Sequence, residues 1–188
     1  LGYCHVRDAE KRVVWGSILM FFDIIGSMSE SRPIDGKSIG ALYDQQVTAY
    51  AEFADRRYAW QYLERPAFDT YVSDLYVPET RVLDIGCGTG VVARHLVSKG
   101  VLPQNIIGID PSSKQLEQAR LQTPGVTFLQ GAADEFDLPN GSVDLVVTNT
   151  VLHHLDNETL ERMLDRTYDV LSPSGSYFFV EVDLDHSE

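Results

Sequence analysis

The chain has 188 residues and a formal net charge of −13, with 44% hydrophobic and 23% charged residues. That length suits one domain with a sizeable core, and the acidity argues against nucleic-acid phosphate as the main partner, because no basic stripe exists to neutralise it. The two cysteines, Cys4 and Cys87, do not make a disulfide framework, since Cys87 lies inside a glycine-rich turn; they point to a reduced, cytoplasmic protein.

Lys11-Arg12 precedes an apolar run, Val13 to Phe22, which Asp23 interrupts. The run is too short to span a bilayer, and no small-residue cleavage site follows it, so no membrane partner is expected. Met28-Ser29-Glu30-Ser31 reads as a natural start; the rival reading is an apolar N-terminal helix packed on the domain or on a partner. Residues 1–37 are therefore expected to be an extension, flexible or not native before Met28, with Pro33 and Gly36 in a polar lead-in. Residues 38–78 read as a helical cap. Its first helix, from Ser38 to Leu63 with one break, places Tyr43, Tyr50 and Phe53 on one face. Pro66 opens a second helix that runs to about Tyr76.

From residue 79 to 188, strands and helices alternate. Strands are expected near 81–85, 105–109, 126–130, 143–148 and 175–182, and helices near 90–99, 112–121 and 156–171. Ser112 with Gln115 forms a capping box, Asp156 caps the last helix, and Pro173 and Gly175 stop it. This succession predicts an α/β fold with a doubly wound, mostly parallel sheet and a ligand at the carboxyl ends of its strands.

The first of these strands breaks into Gly86-Cys87-Gly88-Thr89-Gly90 and then a helix. Such a turn lets backbone approach a ligand closely, and the helix start favours an anionic group. Asp110 ends the next strand, about 20 residues on, where an acid can bond ribose hydroxyls. A dinucleotide turn wants G-x-G-x-x-G, but Val91 holds the position of the third glycine, which disfavours NAD without excluding it. A thiol in so tight a turn reads as packing for Cys87.

Six blocks then occur in order: Leu83 to Gly90, Gly108 to Ser112, Gly131 to Asp134, Val143 to Val147, Leu152 to Leu155, and Val170 to Gly175. Through them residues 83–180 resemble the class I S-adenosylmethionine-dependent methyltransferases, in the small-molecule branch often called the type 11 methyltransferase domain. The resemblance implies a Rossmann-like methyltransferase fold, with residues 79–188 as the cofactor domain. It also implies S-adenosylmethionine as the cofactor, held by Asp84, Gly86, Cys87, Gly88, Asp110, Pro111, Ala132, Ala133, Asp134 and Asn149, with Tyr43 and Tyr50 closing over it. Asp110 would clamp the ribose, Asp84 would reach the amino group, and Pro111 and Ser112 would flank the adenine. Family members often carry an acid where Ala132 stands; backbone N–H of Ala132 or Ala133, or the Asp134 carboxylate, would replace it.

His153 and His154 are the candidate general bases, because methyl transfer to a hydroxyl or an acidic carbon leaves a proton to remove. The tripeptide Thr150-Val151-Leu152 after Asn149 lacks the Asn-Pro-Pro-Tyr-type motif of nucleic-acid and protein-glutamine methyltransferases, which points to a small-molecule acceptor. Members usually add a helix and two antiparallel strands, so this chain reads as truncated after the fifth strand. That strand would carry a bare edge inviting a homodimer. A non-catalytic cofactor-binding module and an NAD-dependent oxidoreductase are the competing functions. No metal site is expected, since Asp183, Asp185 and His186 read as solvated charges on a polar chain end.

Overall fold

The computed structural model describes residues 58–181, the helical residues Gly40, Ala41 and Asp44, and the backbone of Arg12–Ser17. Its strands are β1 (Arg12–Ser17), β2 (Val82–Ile85), β3 (Ile106–Asp110), β4 (Thr127–Gln130), β5 (Val143–Asn149) and β6 (Leu171–Glu181). Its helices are α1 (Arg65–Tyr71), α2 (Val91–Ser98), α3 (Ser113–Gln122) and α4 (Asn157–Val170). The six strands form one sheet in the order β1-β6-β5-β2-β3-β4, and every neighbouring pair is parallel.

The winding reverses between β2 and β5. From β2 the chain crosses through α2 to β3 and through α3 to β4, then returns to β5 on the other side of β2. A doubly wound sheet binds ligands at such a switch point, outside the carboxyl ends of the strands.

Both faces of the sheet are covered, which is why its central strands are apolar almost throughout. Val82, Leu145, Val147, Phe178 and Val180 point into one core with Trp60, Phe68, Val92, Leu96 and Leu116. Leu83, Ile85, Val146 and Tyr177 point into the other, with Phe136, Met163 and Val170. The alternation along β2, β5 and β6 follows the two-residue period of extended chain. Both N-caps form, Ser112 accepting from the Gln115 N–H (3.2 Å) and Asp156 from the Thr159 N–H (2.8 Å). The expected box at Ser112 does not close, because the Ser112 N–H donates to Asp110 Oδ1 and not to Gln115. In α4 the buried positions Met163, Thr167 and Val170 recur at helical spacing.

Two sequence expectations change. The chain leaves α4 directly into β6, because Leu171 already pairs with Val143; Ser172 to Gly175 then bulge before pairing resumes at Leu145–Ser176. The edge of β6 is not bare either. Arg12–Ser17, expected within a flexible extension or an apolar helix, is a strand lying parallel along Ser176–Glu181. It supplies the backbone partners that a homodimer through that edge would have provided.

The segment before the sheet is helical but irregular. Trp60–Glu64 is a π-helical turn in which the Arg65 N–H reaches back to the Trp60 carbonyl. Pro66 explains the widening: its ring crowds the carbonyl four residues earlier, and it has no N–H to donate. α1 then seats Phe68 edge-to-face on Phe178, with ring centroids 4.8 Å apart. Among the described residues no helix is long and apolar enough to cross a membrane.

Phe178→Ala removes a fully buried ring that joins the sheet to α1. It should cost about 3–5 kcal/mol, read as a lower urea midpoint at unchanged denaturant slope.

Candidate cofactor site

Three strands at the switch point end in polar side chains: Asp84 near the end of β2, Asp110 at the end of β3 and Asn149 at the end of β5. The apolar run before each residue locks it in the sheet, so the three polar groups converge where the glycine turn begins. Asp84, Gly86, Cys87, Gly88, Thr89, Val91, Val92 and Asn149 line a cavity of about 20 Å³.

The turn owes its shape to glycine. Gly86, Gly88 and Gly90 have φ of +70°, +53° and +78°, a region costly for other residues. At Gly86 a Cβ would also run into the Val151 side chain, and at Gly88 it would fall 2.9 Å from Gln115 Oε1. The turn is anchored to β3: the N–H groups of Gly86 (2.8 Å) and Cys87 (3.0 Å) both donate to the Ile109 carbonyl. Gly88 N–H donates to Asp110 Oδ2 (2.9 Å), and Ser112 N–H donates to Asp110 Oδ1 (2.8 Å).

These bonds correct the expectation of an anion cradle. The N–H groups of Gly86, Cys87 and Gly88 are spent inside the protein, whereas the first turn of α2 keeps donors without intrahelical acceptors. The charge is also of the wrong sign for phosphate, since the cavity lining has a carboxylate and neither lysine nor arginine. Asp84 is 1% exposed, and both its carboxylate oxygens lack a partner. Burial, with the Asp110 charge as a second cause, raises its pKa to about 8. Burial also raises Asp110, to about 6, against the lowering effect of the N–H bonds from Ser112 and Gly88. Two acids shielded from water, Asp84 lining the cavity and Asp110 bonded to the turn that forms its wall, call for a cation or for hydroxyl donors.

The other expected residues fall as follows. Cys87 is buried, and burial next to Asp84 and Asp110 pushes its thiol well up, so it stays protonated and packs. The Pro111 carbonyl accepts from Gln130 Nε2 (3.1 Å). Ala132 and Ala133 lie in the loop after β4, where the Ala132 carbonyl accepts from the Glu135 N–H (3.0 Å). Asp134 accepts through Oδ2 from Arg162 Nε on α4 at 2.7 Å. Tyr43 and Tyr50 lie outside the described residues, as do Asp183, Asp185 and His186.

His153 and His154 sit on a 3₁₀ turn, Leu152–His154, just past β5. The turn is reached through Thr150, whose φ of +58° is rare for a β-branched residue. Thr150 N–H donates to the Val180 carbonyl (2.7 Å), holding that turn against β6. His153 Nδ1 lies 2.6 Å from Glu181 Oε1, and Glu181 Oε2 accepts from the Leu152 N–H at 2.6 Å. A carboxylate only accepts, so Nδ1 carries a proton in this contact. His154, its ring 3.9 Å from that of His153, has its pKa lowered to about 4, first by burial and then by His153. It is neutral at physiological pH.

Three participants escape the sequence reading. Glu181 ends β6 as Asp110 ends β3, so the rule of a polar residue closing an apolar strand could have found it. Asp44 accepts from Ser112 Oγ (2.6 Å) and from Lys114 N–H (3.2 Å), joining the N-terminal helical residues to the start of α3. Glu64 accepts from Asn149 Nδ2 (2.8 Å). Neither Asp44 nor Glu64 carries a local signal, because each is an acid in a helical stretch. Among the described residues, no group of three His, Cys, Asp or Glu is placed to hold a metal ion.

Residues 82–175, half of the chain, match the methyltransferase domain family, and the chain belongs to it. S-adenosylmethionine is the cofactor of that family. An uncharacterized methyltransferase of Oceanobacillus iheyensis is 30% identical over 73% of this chain and 61% of its own. One of Synechocystis is 31% identical over 56% of this chain and 48% of its own. A trans-aconitate 2-methyltransferase of Methylobacterium nodulans is 33% identical over 71% of this chain and 48% of its own. The chain thus spans roughly half to three-fifths of the length of these relatives. Among solved structures, that of a DhpI–SAM–HEP complex superposes with a TM-score of 0.65 at 21% identity, covering 85% of this chain and 70% of that one. It carries the same Rossmann-like methyltransferase fold.

The raised pKa of Asp84 sets the sign of a stability effect. The unfolded chain ionises this group near pH 4, whereas the folded chain keeps its proton up to about pH 8. The folded state therefore binds the extra proton in that window, and stability falls as pH rises through it. Urea titrations from pH 5 to 9 should show wild type losing stability relative to Asp84→Asn up to about pH 8, with the difference level above that.

Proposed function

We propose that this chain binds S-adenosylmethionine at the switch point and transfers its methyl group to a small-molecule acceptor by direct displacement. The observation that carries the reading is the pair of buried acids, Asp84 and Asp110, held at the glycine turn with no ion-pair partner among the described residues. A ligand with a cationic amino group and vicinal ribose hydroxyls matches that pair in charge and in donor count. A dinucleotide pyrophosphate does not match it in charge.

Residue by residue, Asp84 would take the amino group of the cofactor, since its unpartnered oxygens lack only donors. Asp110 would take ribose hydroxyls with the lone pairs left over after the Gly88 and Ser112 N–H bonds. Gly86 and Gly88 give backbone that a ligand can approach without meeting a Cβ. The bound cofactor supplies a methyl group on a sulfonium, already activated for displacement. Orientation therefore carries most of the rate. His153 Nε2 is the base of the reading: it accepts the proton lost by an acceptor hydroxyl, while Glu181 holds Nδ1–H and fixes the tautomer. A relative named for methylating trans-aconitate supports a small-molecule acceptor.

Calorimetric titration with S-adenosylhomocysteine, with NAD as control, tests the cofactor. Micromolar binding of the first alone is expected, and tighter binding of NAD would overturn the reading. Asp110→Ala should weaken S-adenosylhomocysteine binding about 100-fold or more, as two hydrogen bonds to a charged group are lost. Affinity within a few-fold of wild type would count decisively against the site.

His153→Gln should lower kcat about 100-fold or more on hydroxyl acceptors and leave S-adenosylhomocysteine affinity unchanged. The assay is thioether product formed across a panel of small alcohols and phenols. Equal turnover by the variant on every accepted substrate would remove His153 as the base.

A further inference from the structure

The amide of Asn149 is polarised by a group outside the sheet. Its Nδ2 donates to Glu64 Oε2 at 2.8 Å, and its Oδ1 is buried with no partner. Because a carboxylate can only accept, Glu64 dictates which way the amide faces: nitrogen toward Glu64, oxygen away from it. Asn149 lines the same cavity as Asp84, whose two carboxylate oxygens are also buried without partners. Three acceptor atoms, Asp84 Oδ1, Asp84 Oδ2 and Asn149 Oδ1, thus serve one small cavity that contains no lysine or arginine. A primary ammonium, with three N–H donors, is the ligand group that matches three acceptors.

Glu64 itself is 3% exposed, a burial that glutamate rarely accepts without partners. It ends the π-helical turn that Pro66 forces on the chain. The widened turn places an acid of the N-terminal helical segment against the end of β5, and π-turns of this kind recur at functional sites.

From these contacts we infer that Glu64 is a positioning residue for the amino-acid end of the cofactor, acting through Asn149 to keep an amide oxygen facing the ammonium group. The inference rests on the cofactor reading above and adds to it a residue from outside the cofactor-binding strands. It distinguishes the amino-acid end of the ligand from the nucleoside end. Glu64 acts on the first, whereas Asp110 acts on the second.

Two probes separate the ends. S-adenosylhomocysteine carries the amino-acid group, and 5′-methylthioadenosine keeps the thioether nucleoside without it. Calorimetry on the full chain should show Glu64→Ala weakening S-adenosylhomocysteine about 10- to 100-fold while 5′-methylthioadenosine binds as to wild type. Glu64→Gln should recover most of the loss, because an amide oxygen still accepts from Asn149 Nδ2. Asn149→Ala, which leaves the helical turn untouched, should show the same selective loss. Equal weakening of both probes in Glu64→Ala and in Asn149→Ala, or no weakening of S-adenosylhomocysteine in either, would overturn the inference. Failure of wild type to bind S-adenosylhomocysteine would instead overturn the cofactor reading, and the inference with it.

Discussion

The carboxylate of Asp110 is the clasp of this structure. One oxygen takes the Gly88 N–H and the other takes the Ser112 N–H, so a single side chain ties the turn after β2 to the start of α3. Gly86 and Cys87 add backbone bonds to the Ile109 carbonyl just before it. The geometry of the glycine turn, the direction of α2 and the position of the cavity all follow from this anchorage. The same anchorage uses up donors that a glycine-rich turn would otherwise offer to an anion. A turn of this sequence type can therefore face a cation once an acid has claimed its N–H groups.

Charge in the site works by exclusion of water. Asp84 and Asp110 lie on adjacent strands; burial raises both pKa values, and the Asp110 charge adds to the cost of ionising Asp84. Burial favours the protonated form of Asp84 in the free protein. A cationic partner would favour the ionised form instead. The tension between a folded state that prefers a neutral acid and a ligand that prefers an anion links binding to proton release.

Around this centre, a second set of acids orients other groups. Glu181 bonds both His153 and the Leu152 N–H, so the turn after β5 and its histidine are held by the end of β6. Glu64 sets the amide of Asn149. Arg162 on α4 holds Asp134 through one carboxylate oxygen. In each case a side chain acts through the orientation it imposes on another. Precision of this kind comes from strands and short turns whose backbone is already bonded.

Local patterns carry far in this chain. The succession of apolar runs, glycine turn and capped helices is legible because each depends on neighbours a few residues apart. The caps at Ser112 and Asp156 and the polar strand ends at Asp84, Asp110 and Asn149 are local in the same sense. What tertiary structure alone decided is which distant groups meet. Glu64 reaches Asn149 from a helical turn, Glu181 reaches His153 from another strand, and Arg12–Ser17 lies along β6 where a bare edge was expected. The physical reason is the same in all three: a hydrogen bond between residues far apart in sequence leaves no periodicity in either segment. Its partners are chosen by how the sheet winds and which face each helix covers.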